Sequence, residues 1–228
     1  MGLDLVELWN QMSIVVKIIT VIMILMSVFM FYVITERLIT YSSASSQSIR
    51  YVQALGEYLR QHKVTEALNS ARGMNKSPVA KVMESGLTAL LQGREALKTE
   101  GPDDVGDFDL VDSVNRALER VKERETSNLR RGLPYLGTVA SATPFIGLLG
   151  TVVGILGTFQ LLKGGSVTIN EIGPKISEAL VSTALGLAIA IIAAMSFNFY
   201  TSRVEQFVID MNDVSSEFID YVLREGRA

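Results

Sequence analysis

Three blocks of apolar residues, almost free of charge, dominate the pattern along the 228-residue chain. They cover residues 14–34, 134–162 and 179–200, and Lys17 in the first block is the one charged residue among them. An α-helix needs about 20 largely apolar residues to cross a bilayer. The pattern therefore predicts three membrane-spanning helices, with a second block that is longer than one crossing requires.

The segments outside these blocks repeat apolar residues at helical spacing, which predicts further helices. Such spacing occurs in residues 49–71, 79–91, 111–129 and 204–222, and no strand pattern is visible. Ser77 and Pro78 suit the N-cap and the first position of one of these helices. The helix before the second block and the one after the third are expected to continue their spans and pack together. The predicted fold class is an all-α membrane protein with long cytoplasmic helical extensions.

Basic residues predict the orientation of the three spans. Residues 37–131 hold 15 Lys and Arg and the tail after Tyr200 holds three, whereas residues 163–177 hold two and the segment before Ile14 none. Because Lys and Arg accumulate in cytoplasmic loops, both termini can be placed. The predicted segments are a periplasmic N-terminus (1–13), span 1 (14–34), a cytoplasmic helical loop (35–133), span 2 (134–162), a periplasmic connection (163–177), span 3 (178–201) and a cytoplasmic C-terminal helix (202–228).

The first apolar block could also be a cleaved signal peptide, but its flanks favour a retained span. Asp4 and Glu7 make the preceding segment acidic, and Glu36 and Arg37 follow an apolar run of 21 residues. Signal peptides instead combine a basic start with a shorter apolar run.

Composition argues against several classes of function. The chain has no cysteine and a single histidine, His62, so neither a metal site nor another cofactor is expected. The acidic stretch 100–112 lacks the ligand spacing of a calcium loop. A net charge of −3 does not indicate a nucleic-acid partner. Since no P-loop, HExxH or nucleophile elbow is present, the chain is not expected to be an enzyme.

The second block carries glycines on one helix face. Gly147, Gly150, Gly154 and Gly157 are spaced by three or four residues, and Gly150 and Gly154 form a GxxxG pattern. Such a face allows close approach of another helix, either within the chain or in a neighbouring subunit. Pro144 should kink this span or mark its cytoplasmic start.

The third block has a small face and a bulky face. Ala179, Ser182, Thr183 and Gly186 share the small face, while the bulky residues on the other side suit lipid: Leu180, Leu187, Ile191 and Met195. Small faces from two spans, repeated around a ring, would enclose a narrow polar pore.

Three polar residues near these faces are candidates for a proton pathway. Glu178 is the one acidic residue from 172 to 204, and an ionisable group at the edge of a span often has a function. It could also simply mark the outer end of the span. Thr151 and Thr183 lie within the small faces, although membrane threonines commonly bond to their own helix. No carboxylate lies in the middle of a span, so a proton path requires an acid from another protein.

Two motifs resemble those of the MotA/TolQ/ExbB family of proton-driven stator subunits. One is Pro-Phe-Ile-Gly-Leu-Leu-Gly-Thr-Val-Val-Gly-Ile at 144–155, and the other runs from Ile172 to Leu187 and includes Glu178 and Thr183. Chain length and three spans fit the TolQ and ExbB branches, whereas relatives of MotA have four spans.

The resemblance implies a homo-pentamer in the bacterial inner membrane. The ring would surround a dimeric partner of the TolR/ExbD type, whose single-span helix carries a proton-binding aspartate. Thr151 and Thr183 would face that aspartate, and Glu178 would be the glutamate of the pore. The small residues would form the packing or pore face: Pro144, Gly147, Gly150, Gly154, Gly157, Ala179, Ser182 and Gly186. The force would reach an envelope protein of the TonB or TolA type.

Alternative functions remain open at this point. A motor subunit for gliding, a self-contained ion channel or transporter, and a scaffold that only assembles partners would each use three spans. The sequence does not separate TolQ from ExbB, although the short N-terminal segment favours TolQ.

Overall fold

A computed structural model describes residue 9 and residues 12–99, 109–162 and 169–225. Within these ranges the chain forms α-helices and no strand. The helices are α1 (Ile14–Arg60), α2 (Val64–Gly73), α3 (Pro78–Thr99), α4 (Leu110–Arg130), α5 (Leu133–Leu162) and α6 (Ile169–Glu225).

Three helical stretches are long and apolar enough to cross a membrane, judged by length and composition. They are Ile14–Arg60, Leu110–Gln160 and Ile172–Arg224. Each covers all or nearly all of one of the three apolar blocks. The predicted fold class, an all-α protein with three membrane-spanning helices and long helical extensions, is confirmed.

Two helix boundaries differ from the pattern-based expectation. The helical segment predicted at 49–71 is divided, because α1 runs unbroken from the first apolar block to Arg60. It ends at a turn in which His62 adopts a positive φ of 55°. The expected continuation before the second span is interrupted at Gly132, whose φ of 83° suits a residue without a Cβ. By contrast, α6 continues the third span to Glu225 without a break, as expected.

The chain divides into two compact units. Unit 1 comprises Met1–Thr35 and Gly132–Tyr200 and contains the apolar blocks. Two tyrosines tie its helices together by donating to backbone carbonyls. The hydroxyl of Tyr135 reaches the Met26 oxygen at 2.9 Å, and that of Tyr200 reaches the Ile34 oxygen at 2.8 Å. These bonds satisfy polar groups that would be costly to leave unpaired in hydrocarbon.

Unit 2 comprises Glu36–Arg131 and Thr201–Ala228. Its core is built from apolar residues of five helices, including Tyr51, Met83, Leu87, Leu118 and Phe218, each less than 2% exposed. The predicted N-cap at Ser77 is confirmed, since its Oγ accepts the Ala80 N–H at 3.0 Å.

The carboxyl end of α4 is capped by side chains of α1. Arg37 donates to the Asn128 and Leu129 carbonyls at 3.3 and 3.4 Å, and the Tyr41 hydroxyl donates to Leu129 at 2.7 Å. A cation suits this position because the C-terminus of a helix carries partial negative charge. Arg37 therefore positions the last turn of α4 within unit 2.

Candidate functional site

The small residues of α5 and α6 meet directly in unit 1. A Cβ added to Gly147 would lie 3.0 Å from the Ser182 oxygen and 3.1 Å from the Thr183 Cα. A Cβ on Gly186 would lie 2.6 Å from the Thr143 oxygen, and one on Gly154 would lie 2.9 Å from the Ala179 Cβ. The two backbones approach too closely for larger side chains. This contact is made within one chain, and a role of the same face in a pore stays a prediction.

Gly150 and Gly157 differ in their surroundings. A Cβ on Gly150 would collide with the Ser182 Oγ, whereas a Cβ on Gly157 would meet no heavy atom of another helix within 4 Å among the described residues. Ser182 is 1% exposed, and its Oγ has no hydrogen-bond partner among the described residues. The Thr20 hydroxyl on α1 is likewise buried without a partner. The interior of unit 1 therefore contains free hydroxyl groups, which in a buried site commonly bind water.

Thr183 makes a hydrogen bond between the two helices. Its Oγ1 donates to the Gly147 carbonyl at 3.0 Å. In a regular α-helix the same carbonyl accepts the N–H of the residue four positions later, which is Thr151. Both candidate threonines are therefore associated with one carbonyl of α5.

Thr151 uses its own hydroxyl locally, because Oγ1 donates to the Leu148 carbonyl one turn earlier at 2.7 Å. Both threonine side chains are half-buried at the edge of the packed face. A hydroxyl can exchange such a bond for one to a passing acid or water, since it both donates and accepts.

Glu178 lies in the packed interior of unit 1 with 2% exposure. Its Oε1 accepts the Ser13 N–H at 2.7 Å and the Ser13 hydroxyl at 3.1 Å. Its Oε2 lies 3.5 Å from the Lys175 ammonium. Glu178 is therefore held between the start of α1 and the first turns of α6 rather than facing solvent in the isolated chain.

Ser13 is a site residue that the sequence reasoning missed. Its Oγ accepts the Val16 N–H at 3.4 Å, and its carbonyl accepts the Lys17 N–H at 3.0 Å, as an N-cap does. In a capping box, a glutamate three residues later binds the N–H of the cap. Here Glu178 supplies that carboxylate from another helix. A serine directly before an apolar run was a readable signal for the cap but not for its partner.

Pro144 lies inside α5, which begins at Leu133 and continues to Leu162. It therefore does not mark the start of this helix, although the missing N–H removes one bond to the preceding turn. On α6, the bulky residues expected to face lipid are exposed by 47–69% in the single chain: Leu180, Leu187, Ile191 and Met195.

The site offers hydroxyls, carbonyls and one carboxylate at its edge. Among the described residues, no group of three His, Cys, Asp or Glu could hold a metal ion. Between residues 179 and 200, and between 134 and 162, the sequence has no Asp, Glu, His, Lys or Arg. The arrangement offers a polar lining, and a proton carrier supplied by a partner protein stays a prediction.

Comparison with known proteins identifies one matching family and several similar proteins. Residues 74–213 match the family described as "MotA/TolQ/ExbB proton channel family". The chain is 30% identical to the "Tol-Pal system protein TolQ" of Haemophilus influenzae over 226 residues, which cover 98% of this chain and 96% of that protein. It is 43% identical to the "Biopolymer transport protein ExbB" of Xanthomonas campestris pv. campestris over 97 residues, 42% of this chain and 38% of that protein. The TolQ protein of Pseudomonas aeruginosa is 36% identical over 110 residues, 48% of either chain.

Proposed function

This chain belongs to the MotA/TolQ/ExbB proton channel family, and from that premise we propose that it is the ring-forming subunit of a proton-driven motor. Five copies enclose the two single-span helices of a TolR/ExbD-type partner in the inner membrane. Proton flow through this assembly moves the partner relative to the ring. The partner then transmits force to the cell envelope.

The proposed orientation places the N-terminus and the 163–177 connection in the periplasm and the C-terminus in the cytoplasm. The support is the distribution of basic residues, with 15 Lys and Arg between residues 37 and 131. In this orientation Glu178 lies at the periplasmic end of the third span, where protons enter when they move down their gradient.

The bond from Thr183 to the Gly147 carbonyl is the observation that carries the proposal. It associates Thr151 and Thr183 with one point of α5, which lies about halfway along the charge-free second span and contacts the third span five residues after its start. In a ring of five, this arrangement places a belt of hydroxyls around the central helices. An aspartate of the partner can meet a hydroxyl donor when ionised and an acceptor when protonated. The belt therefore accommodates the acid in either state.

Glu178 is proposed to control proton entry. Two donors of Ser13 and the nearby Lys175 ammonium hold its carboxylate in place at the end of the third span. In the proposed assembly, this carboxylate is the first acidic group that protons arriving from the periplasm would meet. One charge that crosses a potential of ~100 mV gains about 2.3 kcal/mol, so a few protons can drive a mechanical step.

Among the family branches, a Tol-type role has the broadest support. The similarity to the Haemophilus TolQ protein extends over 98% of this chain, whereas the similarity to the Xanthomonas ExbB protein covers 42%. We therefore propose an envelope partner of the TolA type in a Tol-Pal system, ahead of a TonB-type partner.

Native mass spectrometry of the chain co-expressed with its single-span partner tests the assembly. The expected complex has five copies of this chain and two of the partner, and a stable monomer would contradict the proposal. Thr183→Val removes the hydroxyl at similar volume and should leave the five-to-two complex intact while abolishing proton-coupled activity. Thr138→Val is the matched control, because Thr138 is exposed and bonds to its own helix at Pro134. It should retain activity.

A further inference from the structure

A cavity of about 380 Å³ lies within unit 2, between α1, α3 and α4. Its lining combines cationic, hydroxyl and aliphatic groups, which the proposed motor function does not use. The residues that matter here are Arg131, Lys76, Ser43 and Ile39. Its volume lies within the range of sites that bind small ligands.

The inner charges of this cavity are already neutralised. The Lys81 ammonium lies 2.9 Å from the Glu125 carboxylate, and Arg37 is paired with Glu36. The hydrogen bond from Arg37 also lowers the pKa of Glu36, which keeps both members of that pair charged.

The outer cations are Lys76 and Arg131. Both are exposed, and neither has a carboxylate within salt-bridge distance among the described residues. Arg131 also interacts electrostatically with Glu36, whose nearer partner is Arg37. The cavity therefore presents an excess of positive charge at its mouth, where an anion can be bound by two cationic groups.

The position of the cavity along the chain places it near a membrane surface. Ile39 follows the predicted end of the first span by five residues, which is about 7.5 Å along a helix. The polar layer on each side of the hydrocarbon core is about 5–8 Å thick. Arg131 precedes the predicted second span by three residues. The mouth of the cavity is thus expected at headgroup depth.

Aliphatic side chains extend from the first span to this mouth. Leu38 and Ile39 are 57% and 62% exposed, although they lie beyond the apolar block. A free phosphate ion cannot bury this apolar surface, whereas the glycerol and first acyl carbons of a phospholipid can cover it. Charge and apolar surface together therefore match an amphiphilic anion.

We propose that this cavity binds the phosphate headgroup of an anionic phospholipid, with Arg131 and Lys76 as its cationic ligands and the Ser43 hydroxyl as an additional donor. The proposal rests on the span positions of the proposed function but not on proton conduction. Basic pockets at the end of membrane spans are suited to such headgroups.

Lipid titrations of the purified, partner-bound complex, followed by native mass spectrometry, test this site. The probes are phosphatidylglycerol, phosphatidylcholine and inorganic phosphate. The double variant Lys76→Gln/Arg131→Gln should bind phosphatidylglycerol about 30-fold more weakly, because two contacts of roughly equal strength are lost. The double variant Arg50→Gln/Lys63→Gln is the matched control. It removes an Arg and a Lys that are exposed on the same unit but do not line the cavity, and it should bind like the wild type.

Three results would overturn the proposal. They are equal affinity of both double variants for phosphatidylglycerol, equal affinity of the wild type for phosphatidylcholine, and displacement of the lipid by millimolar inorganic phosphate. Lys76→Arg/Arg131→Lys keeps both charges and should retain binding, which separates loss of the site from misfolding. Proton-coupled activity of the complex is scored separately, so failure of the lipid site and failure of the motor function remain distinguishable.

Discussion

Close contact between α5 and α6 predicts opposite effects for two similar glycine substitutions. In Gly186→Ala, the new methyl group would lie 2.6 Å from the Thr143 carbonyl oxygen and 3.1 Å from the Gly147 Cα. Both neighbours are backbone atoms, so a change of rotamer cannot relieve the contact. In Gly157→Ala, the methyl group would meet no heavy atom of another helix within 4 Å in the part of the chain that the structure describes. Gly157 is therefore the matched control.

The expected difference in the free energy of unfolding follows from two contributions. Helix propensity affects both variants equally, and overpacking affects only one of them. Both replace a helical glycine by alanine, which favours the helix by about 1 kcal/mol in each case. Overpacking applies to Gly186→Ala alone and typically costs ~1–3 kcal/mol. Gly186→Ala should therefore be less stable than Gly157→Ala by ~1–3 kcal/mol, which is roughly 5- to 150-fold in the unfolding equilibrium.

Unfolding in mixed micelles with increasing SDS, followed by circular dichroism, measures this difference. Gly157→Ala should unfold at the same SDS fraction as the wild type or a higher one, and Gly186→Ala at a lower one. If the two variants unfold together, the direct packing of α5 on α6 within one chain is refuted.

Further predictions concern both units. Ser13→Ala should destabilise the protein by ~1 kcal/mol through loss of a helix cap, and it should also impair proton-coupled activity. Ser27→Ala is the control and should have neither effect, because it removes an exposed hydroxyl that bonds to its own helix. Equal activity of the two variants would contradict a role for Ser13. Tyr51→Phe should not destabilise unit 2, because the buried Tyr51 hydroxyl has no hydrogen-bond partner among the described residues. Tyr51→Ala should lower the free energy of unfolding by ~3–5 kcal/mol. Thermal unfolding of both variants measures these effects. Burial raises the pKa of the Tyr51 phenol. The wild type should therefore lose stability as pH rises above the unfolded pKa of about 10, and Tyr51→Phe should lack this component.

Much of the fold could be predicted because helix formation and membrane insertion depend on local patterns. Short stretches of sequence encode the three apolar blocks, the cap at Ser77 and the cap at the start of α1. The uninterrupted course of α1 to Arg60 was less apparent, since the polar run at 41–46 resembles a loop in composition. It contains no Gly or Pro, so nothing in it breaks a helix, and packing decides the outcome.

The candidate site was predictable residue by residue but not in its pairings. The sequence placed Thr183 and Gly147 on small faces, yet it could not show that one donates to the carbonyl of the other. Ser13 and Glu178 are separated by 165 residues and meet through tertiary packing alone. The periodicity of the sequence predicts which residues share one face of a helix. It does not predict which other helix packs against that face.

Proton flux into liposomes tests the central claim most directly, namely that this chain lines a path whose proton carrier belongs to a partner. The complex of chain and partner should conduct protons down an imposed gradient. The chain alone should conduct little, and the complex with Thr183→Val should lose most of its flux while it remains assembled. Proton flux through the chain alone at the rate of the complex would contradict the account.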